Sequence, residues 1–246
     1  ISKHPRVSHN YHRDHHYNLW FTLAAKSEQS LLAEATEMIA DYPETSFDIM
    51  PALKTYKLRV SLRVASKVAE GYRESAALPT DHATDEAVVL EAQGRSLLSR
   101  LEKPFPLVAH PWREIGKHIG MNEEEVLALT DALTKQGVIR RVAGVLRHRK
   151  VGYTANGMCC FAVDADRMDT AGMMAAARPE VSHCYWRKTP DAWHYPLFAM
   201  VHAKSEPQCR ESAESIASEI ACDDHLVLFS TIEYKKERAK YFGGDQ

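Results

Sequence analysis

The chain has 246 residues, 45% hydrophobic and 26% charged, and 31 basic against 33 acidic side chains leave a formal net charge of −2. That is long enough to bury two cores, and the near-neutral balance argues against a bulk nucleic-acid binder, which is normally basic. The longest apolar run, residues 19–25, is strand-sized and interrupted by Thr22, far short of the roughly 20 residues that cross a bilayer, so no membrane partner is expected.

In chain order, residues 5–13 and 19–25 read as two strands around a short polar turn, residues 27–40 as an amphipathic helix, and residues 47–60 as a β-rich run. Residues 71–84, rich in Ala, Pro and Thr, read as a linker. A helical segment follows over 85–100, then a short helix over 112–119 and a turn at Gly120-Met121. Asn122, with Glu125 three residues on, predicts a capping box for a helix ending at Gly137. A small hairpin over 138–142 and 145–153 makes the unit a winged helix-turn-helix. Strand 157–163 and helix 169–177 then precede a second strand pair, a helix over 206–221 and a final strand over 225–234.

The two ends of the chain repeat one another. Pro5-Arg6-Val7-Ser8-His9-Asn10-Tyr11-His12-Arg13 with His16-Tyr17-Asn18-Leu19-Trp20-Phe21 parallels Pro179-Glu180-Val181-Ser182-His183-Cys184-Tyr185-Trp186-Arg187 with His194-Tyr195-Pro196-Leu197-Phe198. Tyr56-Lys57 and Tyr234-Lys235 continue the parallel. The second copy reads βαββαβ, a ferredoxin-like unit. The first copy starts partway through that pattern, and there is no initiator Met. An upstream polypeptide or another chain is therefore expected to complete it. The fold class expected is α+β, a winged helix-turn-helix plus tandem ferredoxin-like units. The expected boundaries are 1–70, linker 71–84, 85–153 and 154–246.

Five cysteines without CxxC spacing suggest neither a disulfide framework nor a zinc site, so a reducing cytoplasm and no protein-bound metal are expected. Thirteen histidines are the unusual feature, and His4, His9, His12, His15 and His16 crowd into residues 4–16. Imidazoles, phenols and a guanidinium in one stretch suit a large polyanion.

A helix-turn-helix before a ferredoxin-like unit resembles the Lrp/AsnC transcription regulators. The reading helix, however, opens Asn122-Glu123-Glu124-Glu125, which would oppose DNA phosphates. DNA is therefore not expected as a partner, and the helix-turn-helix reads as a dimerisation and packing module. A ligand-responsive regulator and a haem sensor without chemistry are the rival functions.

The stretch Ser8–Phe21 resembles the NirD half of siroheme decarboxylases. Gly137-Val138-Ile139-Arg140-Arg141, Arg147–Tyr153 and Ser182–Arg187 resemble the NirL half. The chain is similar to the fused form over nearly its whole length. Residues Trp193-His194-Tyr195-Pro196 stand where that family more often has Pro-Tyr-Asn, so the two pockets are not expected to be equally active.

The resemblance implies conversion of siroheme to 12,18-didecarboxysiroheme with release of two CO2, on a route to haem d1 or haem. No separate cofactor is implied, because the substrate carries the iron. A homodimer or higher oligomer, and other haem d1 biosynthesis proteins, are the implied protein partners. His9, His15 and His16 are the candidate proton donors of the first pocket, with His183 and His194 in the second. His183 or His194 is alternatively an axial ligand to the substrate iron. Arg13 and Arg187 are expected to bind carboxylates, with a surface pair between Arg13 and Asp14 as the bland alternative. Tyr11, Tyr17, Tyr185 and Tyr195 are expected to hydrogen-bond or stack on the ring, and Arg140, Arg141, Arg147 and Lys150 to add positive potential. Trp20, Phe21, Leu197 and Phe198 read as sheet core.

Overall fold

The computed structural model describes residues 1–25, 27–58, 88–139, 142 and 153–237. The linker, the expected wing hairpin and the four basic residues Arg140, Arg141, Arg147 and Lys150 fall outside the described residues, apart from its ends at Val138, Ile139, Val142 and Tyr153.

The helical unit contains α2 (Ala92–Leu101), α3 (Pro111–Ile119) and α4 (Glu123–Lys135). The capping box forms as the sequence predicts. The Glu125 amide donates to Asn122 Oδ1 at 2.9 Å, and the Asn122 amide donates to Glu125 Oε2 at 2.7 Å. Two turns need a left-handed residue, and glycine supplies both, Gly120 at φ 70° and Gly137 at φ 74°. Leu97, Ile115 and Val126 meet in the centre of the unit without solvent exposure. The sequence suggests a helix from residue 85, but the described residues 88–91 are not helical and α2 opens at Ala92. Val88 and Val89 are β-branched and exposed, so neither propensity nor burial holds them helical.

The repeat forms the sheet. The first copy supplies β1 (Val7–Arg13), β2 (Leu19–Leu23), α1 (Glu28–Ile39) and β3 (Ala52–Leu58). The second supplies β4 (Ala155–Phe161), α5 (Met168–Ala177), β5 (Val181–Arg187), β6 (Leu197–Ala203), α6 (Glu206–Glu219) and β7 (His225–Lys236). The described strands form one sheet in the order β2-β1-β7-β4-β6-β5-β3. The second copy keeps the ferredoxin-like order β7-β4-β6-β5 in its middle. The first copy is split around it: β1 pairs antiparallel with β7 at one side, and β3 pairs antiparallel with β5 at the other. Each copy's second strand therefore lies beside the other copy's last strand, and both edges, β2 and β3, belong to the first copy.

Alternation assigns the two faces. Cys159 and Phe161 of β4, Leu197, Ala199 and Val201 of β6, and Cys184 of β5 pack against Met168, Ala171 and Ala175 of α5 and Cys209, Ala213 and Ile216 of α6. Their neighbours in sequence, Cys160 and Phe198, turn to the other face and join Trp193 and Leu228 in a second cluster.

Within each copy's own strand pair the register slips at the same place, between Val7 and His9 against β2 and between Val181 and His183 against β6. These are β-bulges at Ser8 and Ser182, and a bulge re-aims side chains. In the second copy Val181 and Cys184 stay in the helix-covered core while Ser182 and His183 between them both turn to the opposite face. Among the described residues no helix is long and apolar enough to cross a membrane.

Candidate active site

Each copy lays a His-Tyr-Arg row along its second strand. In β1 the His9 and Tyr11 rings lie 6.0 Å apart, and the Arg13 guanidinium sits 5.8 Å from the Tyr11 ring centre. In β5 the corresponding values are 6.2 Å for His183 and Tyr185, and 4.9 Å for Arg187 over Tyr185. In both, the bulge serine holds the histidine: Ser8 Oγ is 2.9 Å from His9 Nδ1, and Ser182 Oγ is 2.7 Å from His183 Nδ1. From histidine to arginine is four residues, about 13 Å along a strand.

The arginines are stitched across the copies. Arg13 Nη1 donates to the Leu228 carbonyl of β7 at 2.7 Å, and Arg187 Nη1 donates to the Met50 carbonyl, just before β3, at 2.7 Å. Arg13 is 3% exposed, and its Nε has no partner among the described residues. Among those residues neither arginine has a carboxylate within salt-bridge distance, so the bland pairing of Arg13 with Asp14 does not occur. Burial depresses both guanidinium pKa values, because the charged form is poorly solvated there. Both positive fields reach Cys160. They pull its thiol pKa down, but burial dominates and pushes it far up, so Cys160 stays a neutral thiol between the two arginines.

At the arginine end of the sheet the two turns interlock on Trp193. Its ring lies 5.3 Å from His15, 5.5 Å from Tyr17, 5.3 Å from Trp20 and 5.7 Å from Tyr195. The two tyrosines are anchored alike. Tyr17 donates its hydroxyl to Asp48 at 2.6 Å, and Tyr195 donates to Asp224 at 3.1 Å, each aspartate preceding its own copy's last strand. The acceptor carboxylate raises the Tyr17 pKa; for Tyr195 burial leads and Asp224 adds to it.

The structure therefore separates the expected histidines into two groups. His9 and His183 stand at the bulge ends of their strands. His15, His16 and His194 lie beyond the arginines, in the turns. His15 lines a cleft of about 390 Å³ with Asp14, Arg210, Glu214 and His225. His194 lines another of about 390 Å³ with Asp164, Thr189, Pro190 and Trp193. His16 and His194 are exposed. Burial, with Lys236 adding to it, lowers the His9 pKa. Among the described residues no group of three or more His, Cys, Asp or Glu side chains is arranged to hold a metal ion.

Sequence reading passed over Ser8, Ser182, Cys160, Trp193, Asp48 and Asp224. A signal was present for the serines, since Ser-His occurs at the same place in both copies. Trp20 and Phe198, read as plain core, pack at a tilt with their rings 6.3 Å apart in the second cluster, and Phe198 lies 5.5 Å from the Arg187 guanidinium. Leu197 does lie in the helix-covered core. The first turn of α4 keeps its carboxylates, and Glu123 is paired with Arg113 at 3.2 Å.

Residues 1–57 and 150–235 match the model of an AsnC-like ligand binding domain, and residues 94–140 match that of a siroheme decarboxylase NirDL-like HTH domain. A siroheme decarboxylase of Hydrogenobacter thermophilus is 36% identical over 97% of this chain and 70% of its own length. A siroheme decarboxylase NirDL subunit of Paracoccus pantotrophus is 30% identical over 97% of this chain and 72% of its own. The crystal structure of the siroheme decarboxylase NirDL in co-complex with an iron-uroporphyrin III analogue superposes with a TM-score of 0.63 at 34% identity, covering 97% of this chain and 67% of that one.

Proposed function

This chain belongs to the siroheme decarboxylase family, and from that premise we propose that it converts siroheme to 12,18-didecarboxysiroheme and two CO2, on a route to haem d1. The observation that carries the reading is a pair of guanidiniums, one per copy, the buried Arg13 and the half-buried Arg187, neither neutralised by a protein carboxylate among the described residues. A buried cation of this kind costs several kcal/mol unless an anion meets it, and the arginine fork matches a carboxylate.

In the proposed reaction each acetate loses the bond between its methylene carbon and its carboxylate. The bonding pair passes into the conjugated macrocycle, CO2 leaves, and one proton arrives at the methylene carbon to make a methyl group. Each acetate thus consumes one proton and releases one CO2. Arg13 and Arg187 hold carboxylates at one end of the rows. The aromatic cluster of Tyr17, Trp20, Trp193 and Phe198 keeps water from that end. His9 and His183, about 13 Å away along their strands, face the other side of the macrocycle. His9 enters the reaction neutral, because burial lowers its pKa. The arriving polyanion raises that pKa again and draws in the proton to be transferred. Arg140, Arg141, Arg147 and Lys150 are proposed to add positive potential at the entrance. The β2 or β3 edge, outermost among the described strands, is the proposed seat of a second polypeptide or a second copy.

Anaerobic incubation with siroheme, followed by mass measurement of the extracted tetrapyrrole, tests the reading. Loss of two CO2 units is expected. Recovery of unaltered siroheme from protein that demonstrably binds it would leave a carrier, not an enzyme.

A further inference from the structure

Between the two His-Tyr-Arg rows the sheet lays a floor of β7, β4 and β6. His183 lies opposite Met200 of β6, Met200 opposite Met158 of β4, and Met158 opposite Leu228 of β7. One step along the strands, Tyr185, Phe198, Cys160 and Leu226 form a second such line. Directly opposed residues share a face of a sheet, and Phe198, Cys160 and Leu228 lie in the cluster on the face of the rows. Met158 and Met200 therefore stand on that face too. Their neighbours Cys159, Ala199 and Val201, turned to the helices, have no solvent exposure, whereas both methionines are half-buried although their strands are central.

The sulfur atoms of this floor differ in freedom. Cys160 is a fully buried, neutral thiol. Met158 packs against the cluster of Cys160, Phe198 and Leu228. Met200 has its backbone fixed between β4 and β5, and Ser182 Oγ, 2.6 Å from His202 Nε2, lies 3.4 Å from its carbonyl. An unbranched side chain with three rotatable bonds lets its thioether rise from the sheet while the strand stays in place.

The copies part company at this position. The first sets Thr22 opposite His9, where the second sets Met200 opposite His183. Thr22 Oγ1 is 2.7 Å from Ser8 Oγ and accepts the His9 amide at 3.2 Å. One copy thus carries a hydrogen-bonded hydroxyl where the other carries a soft sulfur donor.

We propose that Met200 is a substrate-binding residue whose thioether meets the iron of a bound tetrapyrrole, so that the second copy recognises the metal. That the guest is a tetrapyrrole rests on the decarboxylase reading. A macrocycle with carboxylates at Arg13 and Arg187 and its far side toward the histidines lies across this floor, with its centre over the methionines. The arginines grip iron-bearing and metal-free forms alike, because both carry the same carboxylates. A thioether is a soft ligand that favours the reduced state of a haem-type iron. Met200 therefore selects the metallated guest, and its ferrous form above all.

The test is an absorbance titration of the whole chain with ferrous uroporphyrin and with metal-free uroporphyrin. The unaltered protein is expected to bind the ferrous guest about tenfold more tightly, the equivalent of about 1.4 kcal/mol. Met200→Leu, a swap that nearly conserves volume, is expected to bring the two affinities together by weakening only the ferrous one. It is also expected to lower the reduction potential of the bound iron, which a thioether ligand raises. Met158→Leu is expected to leave both the ratio and the potential unchanged. Should Met200→Leu fold poorly, protein grown on selenomethionine supplies a second measurement, in which iron-edge X-ray absorption of the ferrous complex is expected to show a selenium neighbour. Equal affinity of the unaltered protein for the two guests, a ratio and potential that survive Met200→Leu, or an iron without a selenium neighbour overturns the inference. Loss of two CO2 from siroheme alongside any of those results leaves the decarboxylase reading standing. The expected ratio and selenium signal in a protein that leaves siroheme intact support Met200 and remove that reading instead.

Discussion

Replacing Arg13 by Met separates a structural arginine from one kept for an anion. The guanidinium gives up one charge-assisted hydrogen bond to the Leu228 carbonyl, about 1.5–3 kcal/mol, and its contact with Tyr11, about 0.5–2 kcal/mol. Against that loss, a buried cation without a counter-charge is removed, which returns several kcal/mol of desolvation. Methionine fills much of the same volume. The net effect on the ligand-free fold is expected to lie between about 1 kcal/mol of destabilisation and about 2 kcal/mol of stabilisation. For a chain of this size, each kcal/mol shifts Tm by about 2–4 °C. Binding behaves oppositely. Losing one partner of a buried charge pair costs about 2–5 kcal/mol, which at about 1.4 kcal/mol per tenfold is a loss of affinity between roughly thirtyfold and a few thousandfold. Thermal unfolding of the free protein and an absorbance titration with ferric uroporphyrin give the two numbers. A Tm lowered by more than about 10 °C together with unchanged affinity would refute the reasoning, because the arginine would then be part of the scaffold alone.

The His9 pKa is lowered in the fold by burial and by Lys236, so the unfolded chain binds more protons than the native one below about pH 6.5. Stability contributed by neutral His9 is present above that pH and lost as pH falls through the depressed folded value; His9→Gln should flatten this part of a stability-against-pH curve measured by urea unfolding. All five cysteines are buried, and burial raises the pKa of each. A thiol reagent at neutral pH should therefore modify the native protein far more slowly than the denatured chain, and a rapidly reacting Cys160 would contradict its position between the arginines. A Cβ on Gly172 would overlap the Tyr56 ring, so Gly172→Ala is expected to cost about 1–3 kcal/mol by pushing β3 off α5. Differential scanning calorimetry measures the loss.

The duplicated pattern and most strand and helix positions are legible from apolar alternation and from caps such as Asn122 with Glu125. The interlock of the two copies is not. Alternation in β1 or β3 says which side chains face a core, but the hydrogen-bonding edges that select β7 and β5 as neighbours carry no residue code. The same limit hid the convergence of Arg13 and Arg187 on Cys160, since it depends on which strands lie between them. Proximity in sequence put His9 with His15 and His16, whereas an extended strand carries His9 away from the turn. Ser182 and His202 escaped notice because a bulge, invisible to period-two counting, turns neighbouring residues to one side.

Each arginine is gripped by a carbonyl of the opposite copy, Leu228 for Arg13 and Met50 for Arg187. A carbonyl's direction reverses with every residue along a strand, so a single insertion or deletion near either would turn the grip outward and release a cation into the interior. His9 and His183 are held through the hydroxyls of Ser8 and Ser182, which can rotate and so carry a smaller penalty. Evolution of this duplicated chain is thus free to give its two halves different acid–base habits, while strand registration between them stays under a veto shared by both.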